Sequence, residues 1–123
     1  MGLDMYLYKL EKEKIGYLRK ANMIHYWIEK RILSQNPEIK EICNLGYYGL
    51  TYNDLKALCM DIDFVLKNPK MAKEILPTRP EFFFGNLQYN EIYFETLENT
   101  KEQLKIILEE NACEDIFIYN PWW

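Results

Sequence analysis

The sequence predicts a single α+β domain, residues 1–123, in which a small antiparallel sheet formed by the N- and C-terminal strands packs with three to four helices. Three observations support this prediction. Both ends of the chain alternate apolar and polar residues with a period of two, which is typical of strands. The middle repeats apolar residues at helical spacing and is divided by prolines. A chain of 123 residues is the usual size of one domain with its own core.

The first strand is predicted over residues 2–10, because Leu3, Met5 and Leu7 alternate with side chains suited to a half-open face. The next segment, residues 16–34, fits a helix whose apolar residues recur every third or fourth position. These residues are Tyr17, Ala21, Ile24, Ile28 and Ile32. Pro37 follows this segment, and the residue before a proline disfavours helical geometry. We therefore expect the strand to lead into one long helix.

The rest of the chain predicts further helices and a closing strand. Residues 47–50 indicate a short extended piece, and Thr51 with Asp54 forms a capping signal for a helix over residues 52–67. A short helix is expected at 71–75 and a long one at 89–111. A second capping signal permits a break of the long helix near Asn99. Residues 115–119 predict a strand that pairs antiparallel with the first.

A polar set lies on one side of the first predicted helix. Asn22, His25 and Glu29 are spaced at i, i+3 and i+7 on this helix, which also carries Trp27, whereas Arg19 and Lys20 point away from His25. As a site, this set offers a general base or hydrogen bonds to a ligand. The alternative, which a single histidine favours, is a buried imidazole that is satisfied by its neighbours.

Two further surfaces are candidate binding regions. Phe82, Phe83 and Phe84 follow two prolines and precede Gly85, so they form an aromatic wall beside a pocket or, as the favoured alternative, a loop packed over the core. The net charge is −4, and the C-terminal third is strongly acidic. An acidic face is predicted on the last helix, either to meet a basic partner or, more simply, as a solvated helix surface. It consists of Glu91, Glu95, Glu98 and Glu102.

Several classes of function lack support in the sequence. The three cysteines have no C-x-x-C spacing, and there is no phosphate-binding loop, nucleophile elbow or dinucleotide-binding glycine motif. We therefore expect no enzyme activity, cofactor or metal. The acidic balance argues against direct binding of nucleic acid. No long apolar run is present, so a soluble intracellular protein without a membrane partner is expected.

Five segments together resemble a family of small uncharacterised proteins of phages and prophages. They are MGLDMYL at 1–7, YLRKANMIHYW at 17–27, LPTRPEFFFG at 76–85, YNEIYFETL at 89–97, which contains Tyr93, and the terminal Tyr-x-x-x-Trp at 119–123. Leu18 and Glu81 stand where the family usually has Trp and Gly. The resemblance implies a phage or mobile-element context in the bacterial cytoplasm, and no specific activity. It also implies recurrent positions at Arg19, Lys20, Asn22, His25, Trp27 and 82–85.

Three hypotheses of function follow. The first is a non-enzymatic phage accessory protein that binds a host protein, such as an inhibitor of a CRISPR nuclease or another host defence system. The second is a protein that binds a nucleotide-like small molecule, or a minor enzyme, around His25. The third is a structural protein that forms a homo-oligomer. The candidate ligand- or partner-binding residues are Arg19, Asn22, His25, Trp27, Glu29, Phe82, Phe83, Phe84 and Tyr93.

Overall fold

The computed structural model describes residues 3–9, 14–79 and 88–123 and confirms the α+β prediction. Four antiparallel strands form one sheet in the order β2-β1-β4-β3. Their bounds are Asp4–Lys9 (β1), Lys14–Arg19 (β2), Tyr48–Thr51 (β3) and Ile116–Trp122 (β4). The predicted N- and C-terminal strands are the central antiparallel pair, in which Leu7 lies opposite Tyr119.

Four α-helices lie within these described ranges. Their bounds are Asn22–Gln35 (α1), Tyr52–Lys67 (α2), Ala72–Ile75 (α3) and Glu91–Glu110 (α4), and a 3₁₀ turn at Pro69–Met71 precedes α3. The predicted helices at 52–67 and 71–75 are confirmed. None of the helices in the part of the chain that the structure describes is long and apolar enough to cross a membrane.

The prediction of one helix over residues 16–34 is wrong in its first third. Residues Lys14–Arg19 form β2, a strand that pairs antiparallel with β1, and α1 begins only at Asn22. Leu18 is buried whereas Tyr17 is 40 % exposed, which is the alternation of a strand. Lys20 then takes a left-handed conformation with φ of 53°, and this turn separates the strand from the helix.

The described helices cover one face of the sheet and leave the other face open. Met5 and Leu7 of β1 and Phe117 and Tyr119 of β4 point into the core, where each is at most 4 % exposed. The alternate residues of the same strands point away from the helices. We call that second surface the open sheet face; Tyr6, Tyr8, Tyr17, Trp122, Lys14 and Arg19 lie on it.

Helix α1 contacts both the sheet and α2, and most residues of its first two turns are buried. His25 contacts Tyr119 of the sheet, and the indole of Trp27 faces Asp61 of α2. A helix that is covered on more than one side has no single apolar stripe. This burial explains why polar residues occur among the core positions of α1.

Side chains cap the N-terminus of α2 and cover the outer edge of β2. Thr51 and Asp54 make the predicted capping box of α2, and Asp54 also accepts hydrogen bonds from Arg31 and Gln35. Helix α4 is continuous through the permitted break near Asn99. The Gln103 side chain of α4 bonds both backbone groups of Tyr17, which blocks the outer edge of β2.

Candidate functional site

The predicted polar set of α1 is buried and contacts residues that are distant in the sequence. Asn22, His25 and Glu29 are 2 %, 3 % and 7 % exposed. They meet Arg79, which lies after α3, and Tyr119 of β4. We call these five residues the α1 polar cluster. The structure therefore brings the three helix residues together, but inside the protein.

Asn22 binds the backbone of Arg79 through both ends of its carboxamide. Its Nδ2 donates to the Arg79 carbonyl at 2.8 Å, and its Oδ1 accepts from the Arg79 amide at 2.5 Å. This pair of hydrogen bonds, one donated and one accepted by the Arg79 backbone, has the pattern of a residue pair in an antiparallel sheet. They fix the segment at 76–79 against the start of α1.

Glu29 neutralises the side chain of Arg79. The guanidinium Nη1 donates to Oε1 of Glu29, whose side chain is 9 % exposed, whereas that of Arg79 is 29 % exposed. The guanidinium carbon also lies 5.2 Å from the ring centre of Tyr26, a cation–π arrangement. A buried carboxylate is stable only when it is paired. Glu29 and Arg79 therefore depend on each other.

His25 is uncharged at neutral pH in this environment. Burial, and then the positive charge of Arg79, lower the pKa of His25 to about 4. Its Nδ1 lies 2.6 Å from the Tyr119 hydroxyl, and burial raises the pKa of that hydroxyl well above its usual value. The ring also meets the edge of Trp123 at 5.4 Å between centroids. An imidazole of such low basicity is a weak proton acceptor at pH 7.

The described side chains of the core leave no buried nitrogen or oxygen without a hydrogen-bond partner. The α1 polar cluster thus has the arrangement of a satisfied internal network, in which each polar group stabilises another. Its hydrogen bonds and its ion pair join three parts of the chain that are distant in the sequence: α1, the segment at 76–79, and β4.

Trp27 lies beside an open groove rather than in the cluster. Its Nε1 donates to Oδ2 of Asp61 at 2.8 Å. The groove has a volume of about 310 Å³ and carries cations and carboxylates together. Its lining residues are Trp27, Lys30, Arg31, Ser34, Asp61, Glu74 and Ile75. Because the groove carries both cations and carboxylates, its charge favours neither an anionic nor a cationic ligand.

The remaining candidate residues are spread over the molecule. The Tyr93 hydroxyl donates to the Leu76 carbonyl at 2.7 Å within the core, where burial raises the pKa of Tyr93. Arg19 is exposed on β2. Phe82, Phe83 and Phe84 lie outside the described residues.

The predicted acidic residues of α4 form an exposed stripe. Glu91, Glu95, Glu98 and Glu102 recur at intervals of four, three and four residues, so they follow one side of the helix. Among the described residues no salt bridge joins them to a lysine or arginine, although Lys101 and Lys105 line a groove beside Glu98 and Glu102. Lys101 binds Asp63 at 2.7 Å. We call these four residues the α4 acidic stripe.

Sequence reasoning did not identify Arg79 and Tyr119 as partners of the polar set. Their contacts with α1 span 57 and 94 positions, and such distances leave no local pattern. Tyr17 and Trp122 of the open sheet face were also not selected as site residues. The strand alternation of residues 14–19 was the available signal for Tyr17.

Comparisons with protein-family models, with curated proteins and with solved structures find no match.

Proposed function

We propose that this chain is a non-enzymatic protein of a phage or mobile element that binds a basic surface of a host protein. The observation that carries the proposal is the α4 acidic stripe. Its four exposed carboxylates extend over about 16 Å of helix at 1.5 Å per residue. A row of exposed carboxylates makes the local electrostatic potential negative and steers a basic partner towards it.

Apolar side chains beside the stripe supply contact area. Ile92 and Ile106 are 58 % and 54 % exposed on the same helix. Charged groups at a rim with apolar residues next to them are a common arrangement in protein interfaces. The stripe would thus select a basic partner, and the isoleucines would add burial once it is bound.

The interior supports a non-enzymatic role. His25 is the one histidine in the chain, and it is buried, uncharged at neutral pH and hydrogen-bonded to Tyr119. A general base needs a pKa near the working pH and access to substrate. Both requirements are poorly met at His25.

Inhibition of a host defence nuclease is the specific form of the proposal. The acidic stripe would occupy a basic channel that normally holds nucleic acid. In that case the target's nucleic acid and this protein compete, and binding weakens as salt rises because exposed charges are screened.

The test is capture of host proteins on the immobilised chain, with elution in steps of salt and identification by mass spectrometry. The stripe variant changes Glu91, Glu95, Glu98 and Glu102 to Gln. The control variant changes Glu38, Glu41, Glu74 and Glu110 to Gln, which alters the net charge equally at other exposed positions. We expect one host protein to bind the wild type and the control but not the stripe variant. Equal binding by all three, or binding that is unchanged by salt, would contradict the proposal.

A further inference from the structure

The open sheet face carries a continuous group of aromatic rings on neighbouring strands. The ring centre of Tyr6 lies 5.3 Å from that of Tyr17, 6.3 Å from Tyr8 and 5.8 Å from Trp122. Tyr17 and Trp122 are 40 % and 47 % exposed. Tyr6, Tyr8 and Trp122 lie on the two central strands, β1 and β4, and Tyr17 lies on the neighbouring edge strand β2.

Two cations flank the rings. Lys14 and Arg19 are exposed at the two ends of β2, about 16 Å apart at 3.3 Å per residue. The Lys14 Nζ lies 5.7 Å from the ring centre of Tyr6. Asp4 is the one acidic side chain among the described residues of this face, and it accepts a hydrogen bond from the Tyr17 hydroxyl at 2.8 Å. The described charged residues of this face carry a net charge of +1, with Asp4 opposite Arg19 in the strand register, although the chain carries −4.

We propose that the open sheet face binds single-stranded nucleic acid. Bases stack on the exposed rings of Tyr17 and Trp122, and phosphates contact Lys14 and Arg19. Stacking on aromatic rings with cations that follow the backbone is how proteins bind single strands without reading their sequence. Bases in a duplex are already stacked on each other and are not available to such a platform.

The charge distribution favours this occupant over a protein. Exposed tyrosine and tryptophan also suit a protein interface, but the flanking cations add a specific complement to a strand that carries regular negative charge. The acidity of the chain is concentrated on α4 and in the C-terminal third, whereas this face belongs mainly to the basic N-terminal strands. The inference uses a surface separate from the α4 acidic stripe and does not depend on the proposed function.

The first experiment measures fluorescence anisotropy of a labelled 12-nucleotide oligothymidylate, an oligouridylate and a DNA hairpin duplex at several salt concentrations. The charge variant is Lys14→Gln with Arg19→Gln. The matched control is Lys40→Gln with Lys56→Gln, two exposed lysines elsewhere. Two phosphate contacts to a single strand predict a slope of log K against log salt near about −1.4. We expect that slope in the wild type and the control, and a slope near zero in the charge variant.

The second experiment separates stacking from charge. Trp122→Ala should weaken oligothymidylate binding by about tenfold, and Trp122→Phe should retain it, because a phenyl ring still offers a face for stacking. Circular dichroism of each variant checks that the fold is kept.

Three results would overturn the inference. The first is that neither oligonucleotide binds at 50 mM salt. The second is that the duplex binds with the same affinity as the single strands. The third is that the control variant loses as much affinity as the charge variant. A fourth is binding of a host protein that these variants abolish while no oligonucleotide binds, which would assign the face to a protein instead.

Discussion

The α1 polar cluster and the open sheet face are built from similar residue types with opposite surroundings. In the cluster, His25 and Tyr119 are buried and hydrogen-bonded to each other, and Glu29 is paired with Arg79. On the sheet face, Tyr17 and Trp122 are exposed. The comparison shows that burial and partners, rather than residue type, decide whether a polar or aromatic side chain stabilises the fold or is available to bind.

This difference arises from the layers of the fold. Helix α1 is covered by β4 on one side and by α2 on another, so a polar residue there needs an internal partner. The outer side of the sheet has no described helix over it, so Tyr17 and Trp122 keep their contact with water, whereas Asn120 on the same side is buried and donates to the Gly46 carbonyl. Removing a cluster residue should therefore cost stability, whereas removing a face residue should cost binding.

The largest expected effect is the response of stability to pH through His25. The unfolded chain takes up a proton near pH 6.5, whereas the folded chain takes it up only near pH 4, because burial lowers the pKa. Between these values the unfolded state binds more protons, so the free energy of unfolding falls as pH falls. We expect a loss of about 3 kcal/mol from pH 7 to pH 4, measured by urea unfolding. His25→Gln should remove this part of the slope, and an unchanged slope would contradict the assignment.

Glu29→Ala should destabilise the protein by about 2 kcal/mol, because it leaves the Arg79 charge near the core without its carboxylate. The partial exposure of Arg79 keeps the cost below that of a fully buried pair. Glu38→Ala, at an exposed site, is the control and should change stability by less than about 0.5 kcal/mol. Chemical denaturation measures both, and equal effects would place Glu29 outside any stabilising network.

Tyr119→Phe should cost about 1 kcal/mol, since it deletes the hydroxyl that lies 2.6 Å from His25 and leaves the ring in place. Tyr47→Phe is the matched control, because Tyr47 is 71 % exposed and should not respond. Thermal and urea unfolding report the difference. A neutral Tyr119→Phe would show that this hydrogen bond does not stabilise the cluster.

The smallest effect is expected on the open sheet face. Trp122→Phe should lower the free energy of unfolding by less than about 1 kcal/mol, because a ring still packs on Tyr6 and the main loss is the hydrogen bond from the half-exposed indole to Asn120. Urea unfolding of the variant at neutral pH checks this value. A loss above 2 kcal/mol would mean that the aromatic group is a second core and not a binding surface.

Local patterns were sufficient for much of the fold. The capping box joins Thr51 and Asp54, which are three positions apart in the sequence. The alternation of core-facing and outward-facing residues around Met5 and Phe117 is visible within each strand. Residues 14–19 were misassigned because so short a segment fits both a helical and a strand period, and its pairing with β1 decides between them.

The candidate site was less accessible to prediction. Spacing placed Asn22, His25 and Glu29 on one side of α1, but it gave no information about Arg79 or Tyr119. Those partners are brought in by tertiary packing. Spacing also did not show whether the set is open to solvent, which determines its chemistry.

The central claim, that the α1 polar cluster is closed to water, is tested most directly by the titration of His25. The chain has one histidine, so its ring signals in a ¹H–¹⁵N or ¹H–¹³C NMR spectrum are unambiguous. The account predicts an imidazole that stays neutral down to about pH 4 in the folded protein. Titration near the ordinary value of 6.5 would mean that water reaches the ring, and would return His25 to the set of candidate ligand-binding residues.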